Sequence, residues 1–238
     1  MAAESVLREL KSRANARKAV ELQRFFKTDK GEYAEGDIFL GIAVPEIRKV
    51  AREYEALELT ELAKLMASPL HEVRFSALVI LTSRFKKAKS AAEEKRYYTF
   101  YIKVLKKGQI NNWDLIDVSA PTIGQYLLNE KGSLTTLRAM ANSKVLWIRR
   151  AAILFTFASL RIGDTKPTID IARALLRDNH DLMHKAVGWA LREVGKRNPG
   201  ELLEFLRKHG KVMSRTTLRY AIEKFSAAER KRWLEVTR

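Results

Sequence analysis

The chain has 238 residues, 46% of them hydrophobic, enough to bury a core in one large domain or two small ones, which excludes a disordered chain. Lys and Arg outnumber Asp and Glu by 17, a charge that repels itself unless a polyanion is near, so nucleic acid is the first partner class and an anionic membrane surface the second. Cysteine is absent, which excludes disulfides and thiolate chemistry.

Gly and Pro are scarce, which predicts long helices joined by short loops. Residues 3–26 read as one or two amphipathic helices, broken or bent near Arg13 to Asn15. The polar stretch from Lys27 to Asp37, with Gly31 and Gly36, is the clearest loop. A short apolar link, Ile38 to Val44, leads to Pro45 at the start of a helix over 45–54. Further helices are expected over about 58–67, 70–86, 90–107, 112–119, 121–129, 133–142, 145–162, 166–178, 180–197, 199–209, 213–224 and 226–235. No run alternates as a strand would. The longest apolar run, Ala151 to Leu160, is about half a membrane-spanning helix, and the N-terminus carries no apolar signal segment.

A degenerate motif recurs along these helices, an apolar or neutral residue, then a polar one, then a small residue three further on. Its polar positions are Arg74, Asp117, Arg149 and Lys185, separated by 43, 32 and 36 residues. Such periods belong to two-helix repeats, so the expected fold is all-α, a curved α-solenoid of HEAT-like antiparallel helix pairs. Asp117 is the one acid in a row of bases. It lies four residues after Trp113, so a helix puts ring and carboxylate on one face. Taken alone, such a pair more often fills core and caps a neighbour. Asn111 or Asn112 suits the N-cap and Asp114 the first turn, and Pro121 limits how far the helix runs.

Two more stretches carry the positive charge. Lys185, Trp189, Arg192 and Lys196 fall on one helical stripe, with Val187, Ala190, Leu191 and Val194 on the apolar side. A Trp among cations suits nucleic acid, and equally a ring half-buried between helices. Arg149 and Arg150 follow Trp147 and must line a surface or pair with acids. His180 and His184 are one helical turn apart, but no third ligand is evident, and two surface histidines are the simpler reading. No phosphate-binding glycine loop and no nucleophile elbow is present. An enzyme would therefore have to work with carboxylates, aromatics and Arg.

The chain resembles the AlkD-type alkylpurine DNA glycosylases. The likeness lies in Ile38-Phe39-Leu40-Gly41-Ile42 with Pro45 and Arg48, in Trp113-Asp114-Leu115-Ile116-Asp117, in Trp147 to Phe155, and in Lys185 to Arg192 with Asn198-Pro199. It implies one repeat domain over 1–238 with DNA in a concave groove. It implies hydrolysis of the N-glycosidic bond of cationic N3- or N7-alkylated purines, with no strand cleavage, no cofactor, and the lesion left stacked in the duplex. Asp117 matches the family's catalytic carboxylate, and Trp113 and Trp189 its two lesion-flanking indoles. Arg150 matches an Arg near the catalytic site and Arg192 a backbone-binding one. Asp181 and Leu182 stand where the best-known member has a Phe pair, and Phe25 replaces a Tyr near the lesion. The DNA contacts expected are therefore Arg149, Arg150, Lys185, Arg192, Lys196 and Phe25. The expected partner is alkylated double-stranded DNA, met by a cytoplasmic, nucleoid-associated monomer with no membrane attachment. The alternative is a non-catalytic DNA binder of the same fold that recognises damaged or branched DNA.

Overall fold

The structure is a computed structural model and describes residues 2–236. It is all-α, and the extended pairing among the described residues is one isolated parallel bridge, Ile38 to Leu70. Residues up to Ile123 form one compact unit and residues from Gly124 a second.

The first unit contains α1 (Ala3–Lys11), α2 (Ala16–Phe26), α3 (Val44–Glu53), α4 (Leu59–Met66), α5 (His71–Lys86), α6 (Ala91–Lys106) and α7 (Trp113–Ile123). The expected break between α1 and α2 is present, and the Asn15 side chain caps α2 by accepting the Lys18 amide at 3.0 Å. Helix α5 is the hub, packed against α1, α3, α4, α6 and α7 and buried on nearly every side. It nevertheless carries His71, Glu72 and Arg74 at 2%, 2% and 6% exposure, so each must be paired. Glu72 accepts the amides of Leu40, Gly41 and Ile42 at 2.9, 2.8 and 3.2 Å, fixing the segment before α3 to the hub. Gly41 has φ +80°, and a Cβ there would stand 2.1 Å from the Asn15 carbonyl oxygen.

The second unit opens with a 3-10 turn, Gly124–Leu128. It continues through α8 (Ser133–Ala141), α9 (Leu146–Phe155), α10 (Phe157–Arg161), α11 (Lys166–Ala174), α12 (Asp181–Arg197), α13 (Pro199–His209), α14 (Arg215–Ala221) and α15 (Ala227–Val236). Here α12 is the hub, against α9, α10, α11, α13 and α14. Gly188 lets α14 approach, since a Cβ would lie 2.5 Å from Tyr220 Cβ.

Three expectations are corrected. The helix expected over 145–162 divides at Thr156, whose hydroxyl donates to the Ile153 carbonyl at 2.6 Å and accepts from Thr168 at 3.0 Å. Helix α7 runs through Pro121 to Ile123, because burial of Leu115, Ile116, Ser119, Ala120, Thr122 and Ile123 outweighs the one amide bond the proline removes. The repeat frame also splits. The carbonyls that open α5, α9 and α12 accept the amides of Arg74, Arg149 and His184, and the carbonyl that opens α7 accepts that of Ile116. Counted this way, Asp117 lies one place later, level with Arg150 and Lys185. Arg74 and Arg149 form a separate class that closes the loop before its own helix, each donating to a carbonyl six residues back, Ser68 at 3.1 Å and Ser143 at 3.0 Å.

Candidate active site and nucleic-acid interface

The start of α7 is held by a buried charged cluster. Asp37, at the end of the polar stretch and 3% exposed, accepts four hydrogen bonds. They come from Arg74 at 2.5 Å, Asn111 at 3.0 Å, His71 Nδ1 at 3.0 Å and Asn112 at 3.2 Å. The other ring nitrogen of His71, Nε2, lies 2.8 Å from Asp114 Oδ2. A carboxylate only accepts, so both imidazole nitrogens must donate and the ring is an imidazolium. Burial alone would push the His71 pKa down, but the hydrogen bonds and charges of Asp114 and Asp37 outweigh it and raise the pKa from 6.5 to about 9. Burial likewise opposes ionisation of Asp37, and the His71 hydrogen bond and Arg74 charge overcome it, bringing its pKa to about 2.

The same residues shape the first turn of α7. Asn112 Oδ1 accepts the Trp113 amide at 2.8 Å, and Asp114 Oδ1 accepts the Leu115 amide at 2.8 Å. The Trp113 indole lies parallel on Phe26, 5.2 Å between centroids and 16° between planes, and meets Phe25 edge-on at 6.1 Å. Phe26 stacks in turn on Phe39, and both pack against the His71 ring. Phe25 is 64% exposed, so an aromatic edge beside Trp113 faces solvent. Asp117 is one helical turn further along the Trp113 face and partly exposed. Its charge reaches the buried Tyr101, whose pKa is raised first by burial and further by Asp117. Trp113 and Asp117 thus lie one turn apart on α7, as their spacing predicts, and Phe25 of α2 meets Trp113 beside them. The sequence reading places Asp114 in the first turn of the helix but misses Asp37, His71 and the bond between His71 and Asp114. The available signal is three ionisable residues at 71, 72 and 74 opening a helix whose next eleven residues, 75–85, carry many apolar side chains.

In the second unit, Trp189 is partly buried, edge-on to Phe157 at 4.8 Å. On the α12 stripe Lys185 and Lys196 are at the surface and Arg192 is half-buried, and all three cations have acidic neighbours. Lys185 lies 2.7 Å from Asp181, Lys196 2.6 Å from Glu193, and Arg192 pairs with Glu223. Such surface pairs are worth at most about 1 kcal/mol each and yield to phosphate. The two Arg after Trp147 differ. Arg149 bonds Asp178 at 2.6 Å and the carbonyls of Ser143 and Lys144 at 3.0 Å each. Arg150 is 4% exposed and donates to the Leu182 carbonyl at 2.6 Å. Arg150 pairs as a buried Arg must and Arg149 is half-buried, so Lys185 and Lys196, 42% and 44% exposed in their side chains, are the more available phosphate contacts.

The sequence profile of the DNA alkylation repair enzyme family matches residues 6–225, and the chain belongs to that family. Its structure is similar to a "Predicted DNA alkylation repair enzyme from Enterococcus faecalis", with TM-score 0.69 and 17% identity over 90% of this chain and 98% of that one. It is also similar to AlkD2 from Streptococcus mutans, with TM-score 0.55 and 19% identity over 89% of this chain and 98% of that one. At these identities the likeness speaks for the fold. Among curated proteins no match was found. Among the described residues no helix is long and apolar enough to cross a membrane.

Proposed function

We propose that this member of the family is an alkylpurine DNA glycosylase that hydrolyses the N-glycosidic bond of cationic N3- or N7-alkylated purines in duplex DNA, with Asp117 as its catalytic carboxylate. The observation that carries the reading is the placement of Asp117 one turn after Trp113 on a helix whose start is clamped by buried charge and whose indole is propped by two phenylalanines. A purine alkylated at N3 or N7 is already a good leaving group. The enzyme must mainly stabilise the positive charge that develops on the deoxyribose and place a water. An ionised Asp117 does both, and the indole face of Trp113 attracts the developing cation. Trp189 is assigned the equivalent aromatic role in the second unit, with Arg150 supporting the reaction centre. Lys185, Arg192, Lys196 and Arg149 are assigned to phosphates, and Phe25 to the DNA beside Trp113.

The test is release of N3-methyladenine or N7-methylguanine from methylated duplex DNA. The glycosylase reading expects free base above the uncatalysed rate with the strand left intact. DNA binding without base release would favour the non-catalytic damage binder.

A further inference from the structure

We propose that His71 is the positioning residue of this site, setting the aim of Trp113 and Asp117 from within the core. The inference rests on the glycosylase reading for its activity arm only. Four observations converge on it. Both ring nitrogens are bound, to Asp37 at 3.0 Å and Asp114 at 2.8 Å, so the ring cannot turn without breaking an ionic hydrogen bond. Asp114 is the residue after Trp113 and three before Asp117, so this bond fixes the turn of α7 that carries both. The His71 ring stacks on Phe39 with 4.4 Å between centroids and lies tilted against Phe26 at 5.2 Å, and Phe26 is the ring on which Trp113 stacks. His71 therefore reaches the indole by two routes, through backbone and through packed rings. It does so from α5, the most buried helix of its unit, which makes it a fixed reference for a side chain at the surface.

The fourth observation is a cleft of about 300 Å³ between α2, α3, α5 and α7, lined by His71, Asp114, Phe26 and Phe39 among others. The charged groups facing the imidazolium are Asp37 from the loop and Asp114 from α7, with Arg74 of α5 on the same Asp37 carboxylate and Glu72, Lys18 and Glu21 lining the same cleft. Truncating His71 would open its volume into this cleft, large enough to admit free imidazole.

The experiment uses the full chain labelled with 5-fluorotryptophan, the Trp113 fluorine resonance being assigned by its loss in Trp113→Phe. His71→Ala is expected to shift and broaden that resonance while those of Trp147, Trp189 and Trp233 hold. Base release should lose about ten- to a hundredfold in kcat, the scale of a small misplacement of reacting groups, with little change in KM. Free imidazole should restore both the resonance and kcat. An unmoved Trp113 resonance in a folded His71→Ala protein, or no recovery with imidazole, overturns the proposal. Asp114→Asn keeps side-chain volume and removes the charge. If His71→Ala does not fold, a displaced Trp113 resonance in Asp114→Asn supports the proposal and an unmoved one overturns it. Absence of base release by the wild type would remove the glycosylase reading, and the fluorine signal would still decide whether His71 positions Trp113.

Discussion

Nε2 of the buried His71 meets the Asp114 carboxylate at 2.8 Å, one turn before Asp117 on the same helix. The partly exposed Asp117 is thus joined, within a single turn of α7, to a buried cluster in which two carboxylates face one imidazolium and one guanidinium. Removing water from four charges is costly unless all are paired, and here every carboxylate oxygen of Asp37 has donors. The cluster spans a loop, α5 and α7, so it holds together elements far apart in the sequence.

Stability should depend on pH in a defined way. The His71 pKa is raised from 6.5 to about 9, so its contribution is fully present below about 6.5 and is lost as pH rises through about 9. The Asp37 pKa is lowered from 3.8 to about 2, so its contribution is present above 3.8 and is lost as pH falls through about 2. Urea unfolding of wild type and His71→Gln at pH 6 and pH 10 checks this. The stability gap between them should be wide at pH 6 and narrow at pH 10, and a gap independent of pH contradicts it.

Asp37→Ala should cost more than a typical surface change, roughly 3–5 kcal/mol, because it leaves the buried Arg74 without its carboxylate and His71 with Asp114 alone. Equilibrium unfolding measures it. A loss below about 1 kcal/mol would mean that the cluster relaxes freely.

Much of the architecture is legible in the sequence because it rests on helical periodicity. The division of α1 from α2 near Asn15, Pro45 in the first turn of α3, and the separation of Trp189 from the apolar side of α12 all follow from local pattern. The clamp on α7 does not, because it joins residues 37, 71 and 114, and nothing in the spacing of three separate segments states that they meet. The repeat frame failed in part for a related reason. Arg74 and Arg149 look like Lys185 in the sequence, but they serve the loops before their helices, and only the helix starts reveal the one-residue offset. Pro121 misled because local propensity yields to the burial of the α7 face.

Gly41→Ala should lower the melting temperature by several degrees. The residue has φ +80°, and the added Cβ would sit 2.1 Å from the Asn15 carbonyl oxygen and 2.6 Å from the Ala19 amide nitrogen, both backbone atoms that cannot swing aside. Gly31→Ala has φ +82° with nothing within 4 Å, so it isolates backbone strain from the clash. Thermal melts should rank Gly41→Ala as clearly the worse. Equal losses would mean that α2 shifts to make room.

Binding to duplex DNA should fall steeply with salt and depend little on sequence. Lys185→Ala, Arg192→Ala and Lys196→Ala combined should lower the slope of log affinity against log salt by about one unit for each phosphate that is no longer neutralised. Binding isotherms at several salt concentrations give that slope. An unchanged slope would place the phosphate-binding role on other cations.

The central claim is that the charge of Asp117 drives base release, and Asp117→Asn tests it most directly, since the amide keeps the shape and removes the charge. The measurement is single-turnover release of N3-methyladenine or N7-methylguanine from methylated duplex DNA at saturating protein, with the uncatalysed rate subtracted. Binding should survive, because a negative charge facing phosphate has gone. Release should fall by roughly 10²–10³, the scale for losing one electrostatic stabiliser of the transition state. Equal release by wild type and Asp117→Asn, both above the uncatalysed rate, would contradict the account and remove Asp117 from the mechanism.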